Sequence, residues 1–175
     1  MNLPAEIRTY VTERRDSKRE RDLLHAIRAL PRAERLQALA PSLELNARTT
    51  LELIDRAQLP QSDYSEILKR GLREADASSV TLWLRATVPH LGWRKVFQIL
   101  RKAAAPWPSG GAFAIYHLPY CFAEFLRLPS QLQPEFCRLI EMYDGLAPLP
   151  FLDREKRKTI AETARRKSDR RTSHD

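Results

Sequence analysis

Cysteine, glycine and long apolar runs are scarce in this chain of 175 residues. Its two cysteines, Cys121 and Cys137, are too few for a disulfide framework and too far apart for a CxxC site. Charged residues interrupt every hydrophobic stretch well short of the roughly 18 residues that span a bilayer, so no membrane segment is expected. The stretch from Met1 to Arg15 lacks the apolar core of a secretory signal. No segment alternates apolar with polar residues, which argues against strands. Glycine occurs 5 times and proline 12 times, while Leu, Arg and Ala dominate. The expectation is a soluble, reduced, cytoplasmic and all-α protein whose helices are punctuated by proline. A chain of 20.3 kDa is long enough to bury about 70% of its unfolded surface, so a sizeable core is within reach.

Acidic residues are also missing from one window. Residues 1–76 carry 14 basic and 13 acidic side chains, whereas residues 77–123 carry 5 basic side chains and no acidic one. That window also holds 8 of the 14 aromatics. Residues 153–175 form a second basic region, with 9 basic and 5 acidic side chains. The formal net charge of +8 is therefore local in origin.

Helix signals recur along the chain. Pro4 suits the first turn of a leading helix, with Ile7, Tyr10 and Val11 facing inward. Ser17 with Glu20 fits a capping box ahead of Leu23, Leu24 and Ile27, and Ser130 with Gln133 fits another ahead of Phe136 and Leu139. Asn46, Ser62 and Ser78 are candidate N-caps, and Gly145 is a candidate C′ residue.

Proline supplies the stops. Pro31, Pro60 and Pro89 are 29 residues apart, each after an aliphatic residue and each seven residues beyond a leucine. The segments read LHAIRALP, LIDRAQLP and LWLRATVP, and a fourth, FAEFLRLP, ends at Pro129. The wider last spacing matches a loop-like insert at Ala105–Gly111 together with a little more helix. A proline lacks the amide proton of a continuing helix and clashes with the preceding turn, so each Leu-Pro step predicts a corner between two helices. A second helix follows each proline, with apolar pairs Ala38/Leu39, Ile67/Leu68, Val96/Phe97 and Phe136/Cys137 in one register. A single hairpin cannot bury its apolar face, and stacked hairpins can.

On these segments, residues 17–143 resemble the α-solenoid class of HEAT-like and armadillo-like helical-hairpin repeats. The likeness is one of architecture, and no family signature accompanies it. It implies a short α-α superhelix of stacked antiparallel hairpins, about four repeats of ~29 residues with an 11-residue insert. The implied organisation is a capping helix at 1–16, a repeat domain at 17–145, a proline-rich linker at 146–152, and a basic C-terminal helix with a disordered tail at 153–175.

A search for chemistry yields little. GxGxxG, Walker A, HExxH and GxSxG motifs are absent, so no catalytic residue, cofactor or metal is expected. His117 and Cys121 lie four apart, but two ligands do not make a zinc site, and Pro119 stands between them. They read as a packed histidine beside a buried thiol. Ser109-Gly110-Gly111 reads as a flexible loop ahead of a helix, with an anion site as the sharper alternative. The aromatic window has no carboxylate of its own, which leaves Glu124, Asp55 or Glu141 to be brought in by folding.

The most informative segment is the helix expected at 92–104. Arg94 and Arg101 are seven apart, as are Lys95 and Lys102, so each pair returns to one face after two turns. Val96, Phe97 and Leu100 should occupy the buried side, and Trp93 could flank the basic face. Arginine forks and lysine point charges suit phosphates, although basic residues also simply solvate helix faces. In the tail, Arg165, Arg166, Lys167, Arg170 and Arg171 are candidate contacts to acidic surfaces or nucleic acid.

Two readings from different classes follow. The repeat pattern favours a non-enzymatic scaffold whose groove holds a protein partner. The charge map favours a nucleic-acid or polyanion binder using helix 92–104 and the tail. The missing nucleic-acid-reading signature tips the sequence towards the scaffold. A remote third reading is a HEAT-like DNA glycosylase-type enzyme using Trp83, Trp93 and Arg94, against which the missing carboxylate counts.

Overall fold

The computed structural model describes residues 2–13, 16–74, 76, 78–122 and 129–146. The described residues are all-α, with no strand among them. The order is α1 (Leu3–Thr12), α2 (Ser17–Ala29), α3 (Arg32–Leu39), a 3₁₀ turn (Ala40–Leu43), α4 (Ala47–Arg56), α5 (Gln61–Glu74), α6 (Val80–Leu91), α7 (Trp93–Ala103), α8 (Pro108–Cys121), a second 3₁₀ turn (Ser130–Leu132) and α9 (Gln133–Leu146). No described helix is long and apolar enough to cross a membrane.

Local chemistry explains the starts. Pro4 sits in the first turn of α1, which turns Ile7, Tyr10 and Val11 into the core. Asn46 caps α4 by accepting from the Thr49 amide at 3.1 Å, and its amide nitrogen donates to the Val11 carbonyl at 3.0 Å. One cap therefore also ties α4 to the end of α1. The cap of α2 is Asp16, which accepts from the Lys18 amide at 2.9 Å, so Ser17 is already helical. Glu20 consequently leaves its expected capping role and turns toward α1. It accepts from the Tyr10 hydroxyl at 2.9 Å and pairs with Arg56. Ser62 is also not a cap, because α5 starts at Gln61, and its hydroxyl turns to Asp63. Ser78 does not cap α6, whose N-cap is Ser79 without a side-chain bond; Asp76 instead holds the turn that precedes the helix. Its carboxylate accepts from the Ser78 hydroxyl at 2.7 Å and from the amides of Ser78 and Ser79 at 2.9 and 2.8 Å. These bonds hold its pKa down at about 2.

Two of the expected proline corners are present. Leu30 and Pro31 are non-helical between α2 and α3, and Ala57 to Pro60 separate α4 from α5. The third is displaced. Pro89 lies within the last turn of α6, and the chain turns at Gly92, whose φ is 71°. A proline this close to the C-terminus removes a single amide, that of residue 89, and the helix stops before further turns are disturbed. Glycine then supplies the left-handed backbone that a Cβ would oppose. In the fourth segment, residues 123–128 lie outside the described residues, as do the tail candidates and everything from 147 onward.

The expected loop at Ala105–Gly111 is half helix, because α8 begins at Pro108. Its glycines mark close packing, not flexibility. A Cβ on Gly110 would run into the Leu72 carbonyl oxygen of α5, and one on Gly111 into the Tyr143 hydroxyl of α9. Gly71 of α5 does the same for Trp83, whose Cγ would stand 2.6 Å from an added Cβ. Gly145 likewise does not end α9, which runs on to Leu146.

The core is one contiguous cluster running from Ile7 to Tyr143. α6 is its axis and packs against α4, α5, α7 and α8. α5 also packs on α8, past the two helices that separate them in sequence, so packing is not confined to neighbouring helices as it is in a one-dimensional array.

Candidate functional site

α7 is strongly two-sided. Val96, Phe97, Ile99, Leu100 and Ala103 are buried, while Arg94, Lys95, Gln98, Arg101 and Lys102 are exposed. At about 100° per residue, the five exposed positions fall within an arc of about 120° with Gln98 near its middle. The arginines form one row and the lysines the other, each pair about 10.5 Å apart along the axis.

The floor under this face is fixed. Phe97 stacks on Phe136 of α9 with ring centroids 5.7 Å apart. The Tyr143 hydroxyl donates to the Leu100 carbonyl at 2.6 Å, and burial pushes that phenol well above its ordinary pKa. Both contacts hold α7 against α9, so the charges project from a packed element. Among the described residues, none of Arg94, Lys95, Arg101 and Lys102 has an ion-pair or hydrogen-bond partner. Arg101 and Lys102 do sit in the last turn, where the helix dipole favours cations.

The basic arc thus brings together all four of the helix residues the sequence singled out. Trp93, at the start of α7, is half-buried against the core, its ring meeting Phe122 edge-on at 5.5 Å and Phe97 at 6.3 Å. Trp83 is buried, and Trp107 is half-buried against the same core.

The other candidates do not converge. His117 and Cys121 share α8, and no group of three or more metal-ligating side chains occurs among the described residues. His117 meets the Tyr116 ring edge-on at 4.9 Å. Burial pushes the Cys121 thiol up, partly offset by Arg85. Glu141 is exposed on α9, and Glu124 lies outside the described residues. Asp55 is engaged with His90, at 2.9 Å from its Nε2.

That last contact belongs to a cluster the sequence reading missed. The His90 ring stacks on Tyr64 at 4.0 Å and 7°, and the Tyr64 hydroxyl accepts from the Leu59 amide while donating to the Ile54 carbonyl. It joins the ends of α4, α5 and α6. The residues are 26 or more positions apart except for Asp55 and Tyr64, so no local motif announces them.

No protein-family model, no curated protein and no solved structure matches this chain.

Proposed function

We propose that this protein binds nucleic acid, with the outer face of α7 as its contact surface. The observation that carries the reading is the set of four exposed cations, unpaired among the described residues, on one face of a helix that has no acid. Bare phosphates are the natural counterpart of such a face, since each neutralised phosphate releases condensed counterions. The tail arginines extend the same chemistry. The protein-scaffold reading has less support. Leu45 is the single exposed large hydrophobic among the described residues, whereas a groove for a partner segment should display an apolar patch.

The repeat reading belongs with this proposal. Paired as α2/α3, α4/α5, α6/α7 and α8/α9, the helices start at Ser17, Ala47, Val80 and Pro108; the first two steps are near the expected period, but the last lacks the expected insert and α4 packs mainly on α6 and not on α5. On this reading the basic face lies on the second helix of the third hairpin.

The test is titration of labelled DNA and RNA oligomers with the full chain and with Arg94→Ala/Lys95→Ala/Arg101→Ala/Lys102→Ala, across a salt series. The expected result is binding at physiological salt with a steep slope that the fourfold variant flattens. Binding that is absent, or identical in the two proteins, would reject the α7 interface and redirect attention to a protein partner.

A further inference from the structure

We infer that the α7 face is built for the backbone of a duplex, irrespective of base sequence, and not for a single strand. This rests on the nucleic-acid reading above and specifies its ligand. Three features carry it.

The first is width. The cations form two rows on the helix surface, about 100° apart around the axis. One extended strand passing along α7 meets one row at a time. The second is charge density. Over the ~10.5 Å length of the patch a duplex offers about six phosphates, and a single strand about three. Four cations are therefore all engaged only by the denser partner. The third is what the face omits. Single-strand affinity comes largely from bases stacking on aromatic side chains. Arg94, Lys95, Gln98, Arg101 and Lys102 supply no aromatic ring, and Trp93, next to Arg94 in the helix, is half-buried with its ring against Phe97 and Phe122. Gln98 is the lone neutral polar group among them, too little to read a sequence of base edges.

The shared chemistry is the phosphodiester backbone of a double helix. Duplex DNA and duplex RNA are both sources, and separate arms distinguish them. The experiment measures the salt dependence of binding of the full chain and the fourfold alanine variant. Its ligands are a DNA duplex, an RNA duplex, the component single strands, a second duplex of unrelated sequence, and vesicles containing phosphatidylserine. The basic tail is common to both proteins, so the difference between their slopes isolates α7. Four contacts on a duplex predict a slope difference of about 3.6 in log K against log salt, and two contacts on a single strand about 1.4. Circular dichroism of the variant should match the wild type, since the four positions are exposed.

A duplex difference at least twice that for single strands, equal for the two duplex sequences, is the expected result. An equal or larger single-strand difference, or dependence on sequence, would overturn the duplex assignment while leaving nucleic-acid binding in place. No difference on any nucleic acid would remove the underlying reading as well. Vesicle capture that depends on the four residues, without a duplex effect, would assign the face to an anionic membrane instead and overturn both.

Discussion

Replacing Arg35 by alanine should loosen two helix ends at once. The guanidinium of this half-buried α3 residue donates to four carbonyls. Its Nε reaches Leu30 at 3.1 Å and its Nη2 reaches Arg28 at 2.7 Å. Its Nη1 reaches Gln58 at 2.8 Å and Ala57 at 3.3 Å. The first two acceptors close α2, and the last two follow α4. Helix ends leave such carbonyls without intrahelical partners, and a cation there also complements the dipole. A single hydrogen bond from a charged group contributes about 1.5–3 kcal/mol when buried. Here the site is partly open, so water takes over some acceptors, and about 2–3 kcal/mol in total is a reasonable expectation. Arg35→Lys keeps the charge but not the planar fork, and should fall between alanine and wild type. The assay is urea denaturation followed by circular dichroism, with the slope checked for constancy so that the midpoint reports stability alone. At this chain length the alanine variant should lose about 5–10 °C of melting temperature. An alanine variant within about 0.5 kcal/mol of wild type, the range of an ordinary surface change, would refute the clamp.

Other perturbations test separate parts of the structure. Gly110→Ala should destabilise by about 1–3 kcal/mol, because the added methyl meets the Leu72 carbonyl, although helix propensity alone predicts a gain of about 1 kcal/mol; thermal denaturation gives the sign. Pro89→Ala should stabilise by about 1 kcal/mol, measured by urea midpoint, because a restored amide can pair within α6. A loss of stability there would show that the proline is needed for a corner. Asp76 contributes stability above its unfolded value of 3.8, and this is lost as pH falls toward its folded value of about 2. Asp76→Asn should therefore flatten the acid limb of a midpoint-against-pH curve in that window, and an unchanged limb would contradict its hold on the turn before α6.

Much of the helix pattern was readable because it depends on residues close in sequence. Ile7, Tyr10 and Val11 share one face by spacing alone, and so do the two faces of α7. Asn46 could be named as a cap since its partner is three residues away. The failures share a different cause. Pro89 and Pro60 look alike locally, but one falls inside the last turn of a helix and the other before a first turn. Their roles depend on where the helix ends, which Gly92 decides. The pair Gly110-Gly111 has the composition of a loop, yet its glycines are set by Leu72 and Tyr143, far along the chain. Arg35 was invisible for a simpler reason: all its acceptors are main-chain carbonyls, which every residue type presents equally. His90, Asp55 and Tyr64 were likewise separated until folding stacked α6 beside α4 and α5.

The contrast between Arg35 and α7 sharpens the functional argument. In the first half of the chain, Arg8, Lys18, Arg21, Arg32 and Arg48 are exposed but spread over four helices, whereas several cations are used internally: Arg28 and Arg35 close helix ends, and Arg19, Arg56 and Arg70 pair with carboxylates. Removing such a cation exposes an unsatisfied partner, so it affects stability first. The four cations of α7 satisfy no described group, and truncating them leaves no orphaned acceptor behind. Their mutual repulsion, within about 10 Å of one another, even opposes folding slightly at low salt. The dipole favours Arg101 and Lys102 at the end of α7 and disfavours Arg94 and Lys95 at its start, so the four charges add little net to the fold, and a counterpart outside the chain accounts for them most simply. The two classes of cation should therefore separate in experiment: Arg35→Ala lowers the melting temperature, whereas the α7 variant keeps or slightly raises it while losing nucleic-acid affinity. If both lose stability alike, the α7 charges are structural and the interface assigned to them fails.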